Sequence, residues 1–367
     1  MSVTKRKTRI LLVASCKPGT IGGQATAARL LLRHLENEFD WSVVAMPEPG
    51  MNAWLRVFAS MKILAASLYA GIIKRASIAH LFTSCTRPAM FEKLLVGVFL
   101  RMTGTKTILN FRGAFDEYYS GCSRLEKKIV RFLLNAQSVV LCQHNGISDF
   151  LVEQRIVPEN KIRVIANAVE RTHMEKTVAD PGKPGKILCL TWIISHKGID
   201  LLIHAAARII KPLKENNFVI EIRGPEEEPG LKNRLEKQIS AAGAGEVIYF
   251  AAPVTGGEKS HLLASADIFV LPTRKEGFPN ALLEAMAAGL PVITTNKAPM
   301  NRIIRNGETG LLFEPENSAD LAEQLLSLAK DEKRRRELGK AARNFALENF
   351  TAEKIIPRFT ALYHELL

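Results

Sequence analysis

Cysteine is scarce in this chain of 367 residues and follows no recognisable pattern. The five cysteines are scattered, odd in number and without C-x-x-C spacing: Cys16, Cys85, Cys122, Cys142 and Cys189. A disulfide framework or a structural zinc site needs paired or closely spaced thiols. We therefore predict reduced, mostly buried thiols, as in a cytoplasmic protein.

Long apolar runs are also missing. The longest uncharged apolar segment is residues 63–73, eleven residues between Lys62 and Lys74, whereas a membrane-spanning helix needs roughly 20. The basic residues at the start lead into an apolar run of strand length, residues 10–16, rather than into the longer apolar core of a signal peptide. The sequence thus predicts a protein that is neither integral to the membrane nor exported.

Several catalytic signatures are absent as well. The sequence contains no D-x-D, no H-E-x-x-H, no G-x-G-x-x-G and no G-K-[ST]. These absences argue against a metal-chelating transferase, a zinc hydrolase, a dinucleotide-binding fold and a P-loop enzyme. The acidic run at residues 226–228 is interpreted as solvated surface. We predict no metal site and no bound cofactor.

The positive charge is concentrated in the first half. Residues 1–180 hold 25 Lys and Arg against 14 Asp and Glu, whereas residues 181–367 hold 25 against 23. Such asymmetry predicts an anionic partner for the first half. No nucleic-acid-binding motif is present, so an anionic membrane surface or a phosphate-bearing acceptor fits better. Residues 54–75 and 124–134 are candidate helices lying on a membrane, although each also fits a helix packed on a sheet.

Short apolar strands alternate with helical periodicity along both halves. This alternation predicts parallel sheets covered by helices on both faces. The alternation stops at residues 175–186, where two Pro-Gly pieces indicate a linker between two domains.

The most informative stretch is residues 269–295. A strand runs into a loop that carries Glu276, and the helix that follows carries Glu284. Both carboxylates are predicted at the crevice where open parallel sheets bind ligands. The backbone N–H groups near Asn280 and Ala281 start a helix and suit a phosphate or pyrophosphate. Acids beside an anion site fit a ligand that also carries hydroxyls, such as a nucleotide sugar.

This stretch resembles the E-x7-E signature of the retaining glycosyltransferases of the bacterial group 1 family (family 4). The match includes Glu276-Gly277-Phe278-Pro279, Leu283-Glu284-Ala285-Met286, Gly289, Pro291-Val292 and residues 306–312. The resemblance implies an α/β protein of the GT-B fold, two Rossmann-like domains with a cleft between them. Residues 1–180 are then the acceptor-binding domain and residues 181–350 the nucleotide-sugar-binding domain. The last segment, residues 351–367, is expected to form a helix that crosses back to the N-terminal domain.

The resemblance also implies roles for individual residues. Lys197, in Lys197-Gly198-Ile199-Asp200, matches a K-G-x-D element whose lysine contacts the donor diphosphate, although a surface lysine at a helix start is the alternative. Glu276 is expected to orient the transferred sugar, and Glu284 to accept hydrogen bonds from the ribose. The remaining donor-binding candidates flank these groups or lie in the N-terminal Gly-rich loop: Gly22, Gly23, Gly277, Phe278, Pro279, Asn280 and Arg223.

The sequence departs from the family pattern at Thr191-Trp192, at Arg112, and at Arg302, where the family often has an acid. Thr191 and Trp192 stand where the family usually has Gly-Arg, the arginine being a second diphosphate clamp. Either Arg223 or Arg274 supplies that charge, or the donor is held differently, or the site is impaired. Arg112 stands where the family commonly has a histidine that reaches the donor sugar. It is a candidate acceptor or sugar contact, and a structural ion pair with Asp116 or Glu117 is the alternative.

The implied reaction is transfer of a sugar from a nucleoside diphosphate sugar to a hydroxyl, with retention of configuration and without a metal. The expected acceptor is a lipid-linked saccharide or a polysaccharide of the cell surface. The expected location is the cytoplasm, with peripheral attachment to the inner face of the membrane. Three rivals stay open: a catalytically silent nucleotide-sugar-binding protein, a GT-B nucleotide-sugar epimerase and a nucleic-acid-binding protein.

Overall fold

The computed structural model describes residues 7–16, 22–46, 53–170, 184–254 and 257–367. The chain divides into two compact units, residues 1–168 with 352–367, and residues 169–351. Most of the predicted linker, residues 175–186, lies outside the described residues.

Unit 1 contains a sheet of six parallel strands in the order β2-β1-β3-β4-β5-β6. The strands are β1 (Arg9–Ala14), β2 (Asp40–Ala45), β3 (Ile78–Thr83), β4 (Lys106–Phe111), β5 (Val139–Cys142) and β6 (Ile162–Val164). The helices between them are α1 (Gly23–Leu35), α2 (Ala53–Ile72), α3 (Arg87–Met102), α4 (Phe115–Ser120), α5 (Arg124–Asn135) and α6 (Asn145–Glu153). The central strands are buried on both sides because helices cover both faces of the sheet.

Unit 2 repeats this architecture with the strand order β12-β11-β10-β7-β8-β9, again parallel. Its strands are β7 (Gly185–Leu190), β8 (Phe218–Arg223), β9 (Ile248–Ala251), β10 (Ile268–Leu271), β11 (Val292–Thr295) and β12 (Leu311–Phe313). Its helices are α7 (Ile199–Arg208), α8 (Ile210–Glu215), α9 (Leu231–Ala241), α10 (Gly257–Ala264), α11 (Asn280–Ala287), α12 (Met300–Ile303), α13 (Ser318–Lys330) and α14 (Glu332–Asn349). The predicted α/β class is therefore confirmed.

The last helix, α15 (Ala352–Leu366), packs on the sheet of unit 1, as predicted. Ile355, Phe359 and Tyr363 lie in one core with residues of α1 and of β1 and β3. The Tyr363 hydroxyl lies 2.8 Å from Nδ1 of His80, a buried residue of β3. The helix thus completes a core that the first 168 residues leave open.

The helix α2 of unit 1 is apolar but largely exposed. By length and composition, α2 is the single helix in the described ranges that could cross a bilayer, over Trp54–Ile72. The sequence estimate counted only the uncharged run, whereas this helix also contains Arg56 and Lys62. Only 22% of this apolar segment is buried, so α2 lies largely on the surface.

The five cysteines are free thiols. Burial raises the pKa of the Cys189 thiol to about 12, and Cys142 and Cys122 are also buried. Within the ranges that the structure describes, there is no group of three His, Cys, Asp or Glu side chains with metal-site geometry.

Candidate functional site

Lys197 and Glu276 meet at the carboxyl ends of two neighbouring strands. Lys197 ends a 3₁₀ turn, Ser195–Lys197, that follows β7, and Glu276 lies in the loop that follows β10. Because β7 and β10 pair in parallel, the loops that leave them share one edge of the sheet. Lys197 Nζ donates to Glu276 Oε1 over 2.6 Å, and the two side chains are only 13% and 12% exposed. The two predicted catalytic residues therefore form one shielded ion pair.

Gly198 allows these two loops to touch. Its φ of 70° is left-handed, and a Cβ added there would lie 1.9 Å from the carbonyl oxygen of Pro272. No side chain fits at that contact, so a glycine is needed. The backbone N–H of Arg274 also donates to the carbonyl of His196 over 2.9 Å. Backbone contacts therefore fix the position of Lys197 relative to Glu276.

The Arg274 side chain is the main tie between the loops. It donates two hydrogen bonds to Asp200, at 2.7 and 2.8 Å, and one to the Ser195 carbonyl at 3.1 Å. It also donates two to Glu316, at 2.7 and 2.8 Å. The hydrogen bonds that Arg274 donates to Asp200 and Glu316 raise the pKa of its guanidinium. Burial acts to raise the pKa of Asp200, but the Arg274 hydrogen bonds outweigh it and lower that pKa. Arg274 thus holds the site together through two carboxylates.

Arg223 ends β8, the strand on the other side of β7. Its Nε donates to Glu221, and its Nη1 donates to the Ala252 carbonyl over 2.9 Å. Its own carbonyl accepts from the N–H of Thr191 over 3.0 Å. Next to it, a Cβ on Gly224 would lie 1.7 Å from the Thr191 carbonyl oxygen. Arg223 therefore lies directly beside the Thr191-Trp192 segment, where the family pattern expects its arginine.

Glu221 holds the Arg223 side chain in place by accepting its hydrogen bond. It is 3% exposed and also accepts from the Tyr249 hydroxyl over 3.1 Å, with Lys186 Nζ at 3.4 Å. Burial acts to raise the pKa of Glu221, but these donors and cations lower it overall. Glu221 is therefore a buried carboxylate surrounded by positive groups, and it fixes the Arg223 guanidinium at the end of β8.

The remaining donor-binding candidates lie on the way into α11. Gly277, Phe278 and Pro279 connect Glu276 to Asn280, the first residue of this helix. The Phe278 ring is 8% exposed and packs edge-on against Phe350, with ring centroids 6.2 Å apart. Phe278 is thus a packing residue that positions the loop.

Glu284, one turn further along α11, forms an ion pair with Lys259 of α10. The Glu284 side chain is 17% exposed and that of Lys259 is 31% exposed. The carboxylate therefore faces a partly open space with a cation already beside it. No sequence signal singled out Lys259, because nothing in the chain order places α10 next to α11.

The candidates in unit 1 form a separate cluster at the carboxyl edge of its sheet. Arg112, after β4, donates to the Gly23 carbonyl over 3.2 Å and to Asn167 Oδ1 over 2.8 Å. Its guanidinium also stacks on the Phe82 ring at 4.7 Å. Burial lowers the pKa of Arg112, but a guanidinium stays charged at neutral pH. Gly22, at the start of α1, has a φ of 132° and open space where a Cβ would stand. The contacts of Arg112 with Gly23 and Asn167 were not anticipated from the sequence.

Comparison with known proteins relates the chain to glycosyltransferases. Residues 170–345 match the family model described as glycosyl transferases group 1. The chain is 38% identical over 108 residues to an N-acetyl-alpha-D-glucosaminyl L-malate synthase of Bacillus anthracis, covering 29% of this chain and 28% of that protein. It is 35% identical over 147 residues to a D-inositol 3-phosphate glycosyltransferase of Arthrobacter, covering 40% of this chain and 34% of that protein. The matched stretches thus span about a third of the length of these relatives.

The structural matches extend over the whole chain. A sucrose-phosphate synthase of Thermosynechococcus elongatus has a TM-score of 0.83 at 19% identity, covering 98% of this chain and 99% of the other. Anabaena HepE in complex with UDP-glucose has a TM-score of 0.76 at 16% identity, covering 97% and 99%. Identities this low establish the fold alone. The chain therefore has the GT-B fold, and its residues 170–345 are similar to the family of glycosyl transferases group 1.

Proposed function

We propose that the chain is a glycosyltransferase that moves a sugar from a nucleoside diphosphate sugar to a hydroxyl, with retention of configuration and without a metal. The observation that carries this proposal is the shielded pair of Lys197 and Glu276, held at 2.6 Å at the carboxyl ends of β7 and β10. A cation and a carboxylate in one low-dielectric site match the two demands of this reaction. The leaving group gains negative charge, and the sugar presents hydroxyl donors.

Lys197 is proposed to stabilise the departing diphosphate, on which negative charge grows in the transition state. Glu276 is proposed to accept hydrogen bonds from the sugar hydroxyls and so to fix the anomeric carbon. Because Lys197 stands beside Glu276, it also screens this carboxylate from the diphosphate. The contacts that Gly198 and Arg274 make between the two loops hold Lys197 and Glu276 in place before the substrate binds.

Arg223 is proposed to replace the missing arginine at Trp192. It lies beside Thr191 on the next strand, is held by Glu221, and its side chain is 23% exposed. A guanidinium in this place provides a second, always-charged donor for the diphosphate. Glu284 is proposed to bind the ribose hydroxyls, with Lys259 beside it. In unit 1, Gly22 and Gly23 are proposed to contact the donor, and Arg112 is proposed to contact the acceptor or the transferred sugar.

The proposed acceptor is a lipid-linked saccharide or a polysaccharide of the cell surface. Support comes from the basic first half and from one relative, the N,N'-diacetylbacillosaminyl-diphospho-undecaprenol alpha-1,3-N-acetylgalactosaminyltransferase of Campylobacter jejuni. That relative is 31% identical over 182 residues, which cover 45% of its length. We place the reaction at the cytoplasmic face of the membrane.

The first test is thermal unfolding with UDP, GDP, ADP and their sugar conjugates. A ligand at 100 times its Kd raises the free energy of unfolding by about 2.7 kcal/mol. One nucleotide should raise the Tm of the wild type, and Glu284→Ala and Lys197→Ala should reduce or abolish the shift. If no nucleotide shifts the Tm with acceptor analogues present, the donor site does not function and the proposal fails.

Product analysis tests the chemistry. Incubation with the identified donor and a lipid-linked acceptor should give a product whose anomeric configuration equals that of the donor, unchanged by a chelator. An inverted anomeric centre would contradict retention, and loss of activity with the chelator would contradict metal independence. An altered sugar nucleotide formed without acceptor would instead identify an epimerase.

A second candidate function, a silent nucleotide-sugar-binding protein, is suggested by Trp192 and Arg112, which stand where the family usually has an arginine and a histidine. Under our proposal Arg223→Ala weakens nucleotide binding more than Trp192→Arg strengthens it, because Arg223 already supplies the charge. If Trp192→Arg instead creates transferase activity that the wild type lacks, the natural chain is the silent protein.

A further inference from the structure

Three neighbouring helices of unit 1 expose large apolar side chains in stripes of helical spacing. The stripe on α2 contains Trp54, Phe58, Met61, Tyr69 and Ile72, that on α3 contains Leu95, Phe99 and Met102, and that on α5 contains Leu125, Ile129 and Phe132. Within each stripe the residues are three or four positions apart, except for one step of eight between Met61 and Tyr69, so each stripe follows one face of its helix. Since α2 packs on α3 and α3 packs on α5, the stripes lie side by side. We call this surface the apolar platform.

The side chains of the apolar platform are highly exposed, and most exposed large apolar side chains of the described residues belong to it. Trp54 is 86% exposed, Met102 77% and Phe132 74%. Apart from these three helices and Ile73, the described residues expose few large apolar side chains, namely Val43, Val152, Tyr249 and Leu367. A contiguous apolar surface of this kind marks an interaction site.

The platform is not the packing face of its helices. Ile63 and Ala70 of α2, Leu94 and Leu100 of α3 and Val130 of α5 point the other way, into the core of unit 1. Folding of unit 1 therefore does not account for the exposed stripes. The buried residues of α2 also keep this helix on unit 1, because removing it would expose the core to water.

Cations surround the platform, and acidic groups are few. The exposed cations are Arg56, Lys62, Lys74, Arg75, Arg124, Lys128 and Arg131. The sequence has no Asp or Glu from residue 49 to residue 91. Glu92 of α3 is paired with Lys93, and Glu126 of α5 is paired with Arg87. The net charge that this surface offers to a partner is therefore positive.

The cations and the aromatic rings belong to one surface. Lys62 Nζ lies 4.6 Å from the centroid of the Phe58 ring, and Lys74 Nζ lies 6.0 Å from that of Tyr69. Long cationic side chains beside aromatic rings suit the boundary between acyl chains and phosphate headgroups. A protein partner would need a matching acidic and apolar surface, whereas an anionic bilayer presents both properties everywhere.

We propose that the apolar platform docks on an anionic phospholipid bilayer, with the three stripes immersed at the headgroup boundary and the cations at the lipid phosphates. The docking is peripheral, since the inner face of α2 stays in the core of unit 1. In a parallel sheet the helices begin at the carboxyl edge of the strands, so the Trp54 end of α2 lies toward the edge that carries Gly23 and Arg112. Under the proposed function, docking therefore brings the bilayer beside the acceptor cluster. The docking itself does not rest on that function.

Vesicle co-sedimentation tests the proposal. The full chain is mixed with vesicles of phosphatidylglycerol and phosphatidylcholine, or of phosphatidylcholine alone, at low and high salt. We expect binding to the anionic vesicles that weakens at high salt. Each cation that is lost lowers the partition coefficient about fivefold, so Arg56→Gln with Lys62→Gln should reduce binding by roughly 25-fold.

Matched variants separate the platform from general effects. Phe58→Ser with Met61→Ser should reduce binding at both salt concentrations, and Trp54→Ser alone serves if that pair does not fold. Val152→Ser, at an exposed apolar position of α6, and Lys333→Gln with Arg336→Gln, exposed cations of unit 2, should leave binding unchanged. If the controls reduce binding as much as the platform variants, the proposal is wrong.

The depth of Trp54 distinguishes docking from insertion. With Trp41→Phe and Trp192→Phe, Trp54 is the sole tryptophan of the chain. Brominated lipids should quench it best when the bromines lie near the headgroups, and alkaline carbonate should release the protein. Quenching from the bilayer centre with resistance to carbonate would show a spanning helix and overturn peripheral docking.

Two further results would overturn the proposal. One is the absence of binding to anionic vesicles. The other is a dimer in solution that platform variants dissociate, without vesicle binding, because the platform would then join two copies. Nucleotide-induced Tm shifts are measured on the same variants. If they persist while docking is lost, the proposed transferase function is unaffected.

Discussion

Gly198 shows how a single backbone position holds the Lys197 and Glu276 side chains together. An alanine there adds the cost of a left-handed φ, about 1 kcal/mol or more, to a steric clash with the Pro272 carbonyl. The two loops must then separate, and Lys197 moves away from Glu276. We expect Gly198→Ala to lower the free energy of unfolding by roughly 2–4 kcal/mol and to abolish nucleotide binding.

Gly243→Ala is the matched control for this substitution. Gly243 also has a left-handed φ, 62°, but nothing lies within 4 Å of the added Cβ. Its substitution should cost about 1 kcal/mol and leave nucleotide binding unchanged. Denaturant unfolding and nucleotide titration of both variants measure the difference. Equal effects would show that the contact with Pro272 is unimportant.

His80 is a buried titratable group that links pH to the stability of unit 1. Burial, with a smaller effect from the Arg112 charge, lowers the pKa of His80 to about 3. The unfolded chain therefore takes up a proton near pH 6.5, whereas the folded chain stays neutral there. The stability from a neutral His80 is full above pH 6.5 and is lost as the pH falls toward 3. Between pH 7 and pH 5 the loss should approach about 2 kcal/mol.

Urea unfolding at pH 7 and pH 5 measures this effect. His80→Gln should have lower stability at pH 7 but a smaller loss on acidification than the wild type. His204→Gln, at an exposed position, should keep the wild-type loss. An unchanged pH dependence in His80→Gln would assign the acid sensitivity to other groups.

At the scale of elements, Arg274 links the loop after β7 to the loop after β10. A lysine keeps the charge but cannot form the two-pronged hydrogen bond with Asp200. We expect Arg274→Lys to weaken nucleotide binding about tenfold, while Arg305→Lys, at an exposed i,i+3 pair with Glu308, has no effect. Isothermal titration with the identified nucleotide checks this. Equal affinities in both variants would mean that the loops are held without Arg274.

Helices and strands could be predicted where the apolar pattern repeats along the sequence. Contacts between segments distant in sequence were less predictable. The alternation of strands and helices predicted both parallel sheets, and the strand-loop-helix order around Glu276 placed it at the carboxyl edge. The apolar residues of the second strand predict a start at Val43, but the strand begins at Asp40, because residues 40–42 also pair with β1. Neither the Arg274 clamp nor the Lys259 pair was predictable, since each joins segments distant in sequence.

The whole molecule consists of two units, and each has a core of its own. The core of unit 2 is built from residues 187–338, and Val169 pairs with Thr351 within the same unit. Unit 1 instead needs α15, whose Tyr363 is fully buried against His80. The chain thus enters unit 2 from unit 1 and returns to unit 1 at its end.

This arrangement predicts different outcomes for two truncations. Residues 169–351 alone should fold and bind the nucleotide, because their core, Lys197, Glu276 and Glu284 are all present. Residues 1–351 should keep a folded unit 2 but lose unit 1, since the apolar face that α15 covers is left exposed to water. Removing α15 should therefore abolish the unfolding transition of unit 1 and leave the nucleotide-shifted transition of unit 2 in place.

Calorimetry with and without nucleotide measures both fragments, and hydrogen exchange locates the protected strands. A point variant tests the same dependence in the intact chain: Tyr363→Ala empties a large buried volume and should destabilise unit 1 by roughly 3–5 kcal/mol. The nucleotide-shifted transition of unit 2 should not move. If Tyr363→Ala lowers both transitions equally, the two units unfold together, and α15 supports the whole chain rather than unit 1.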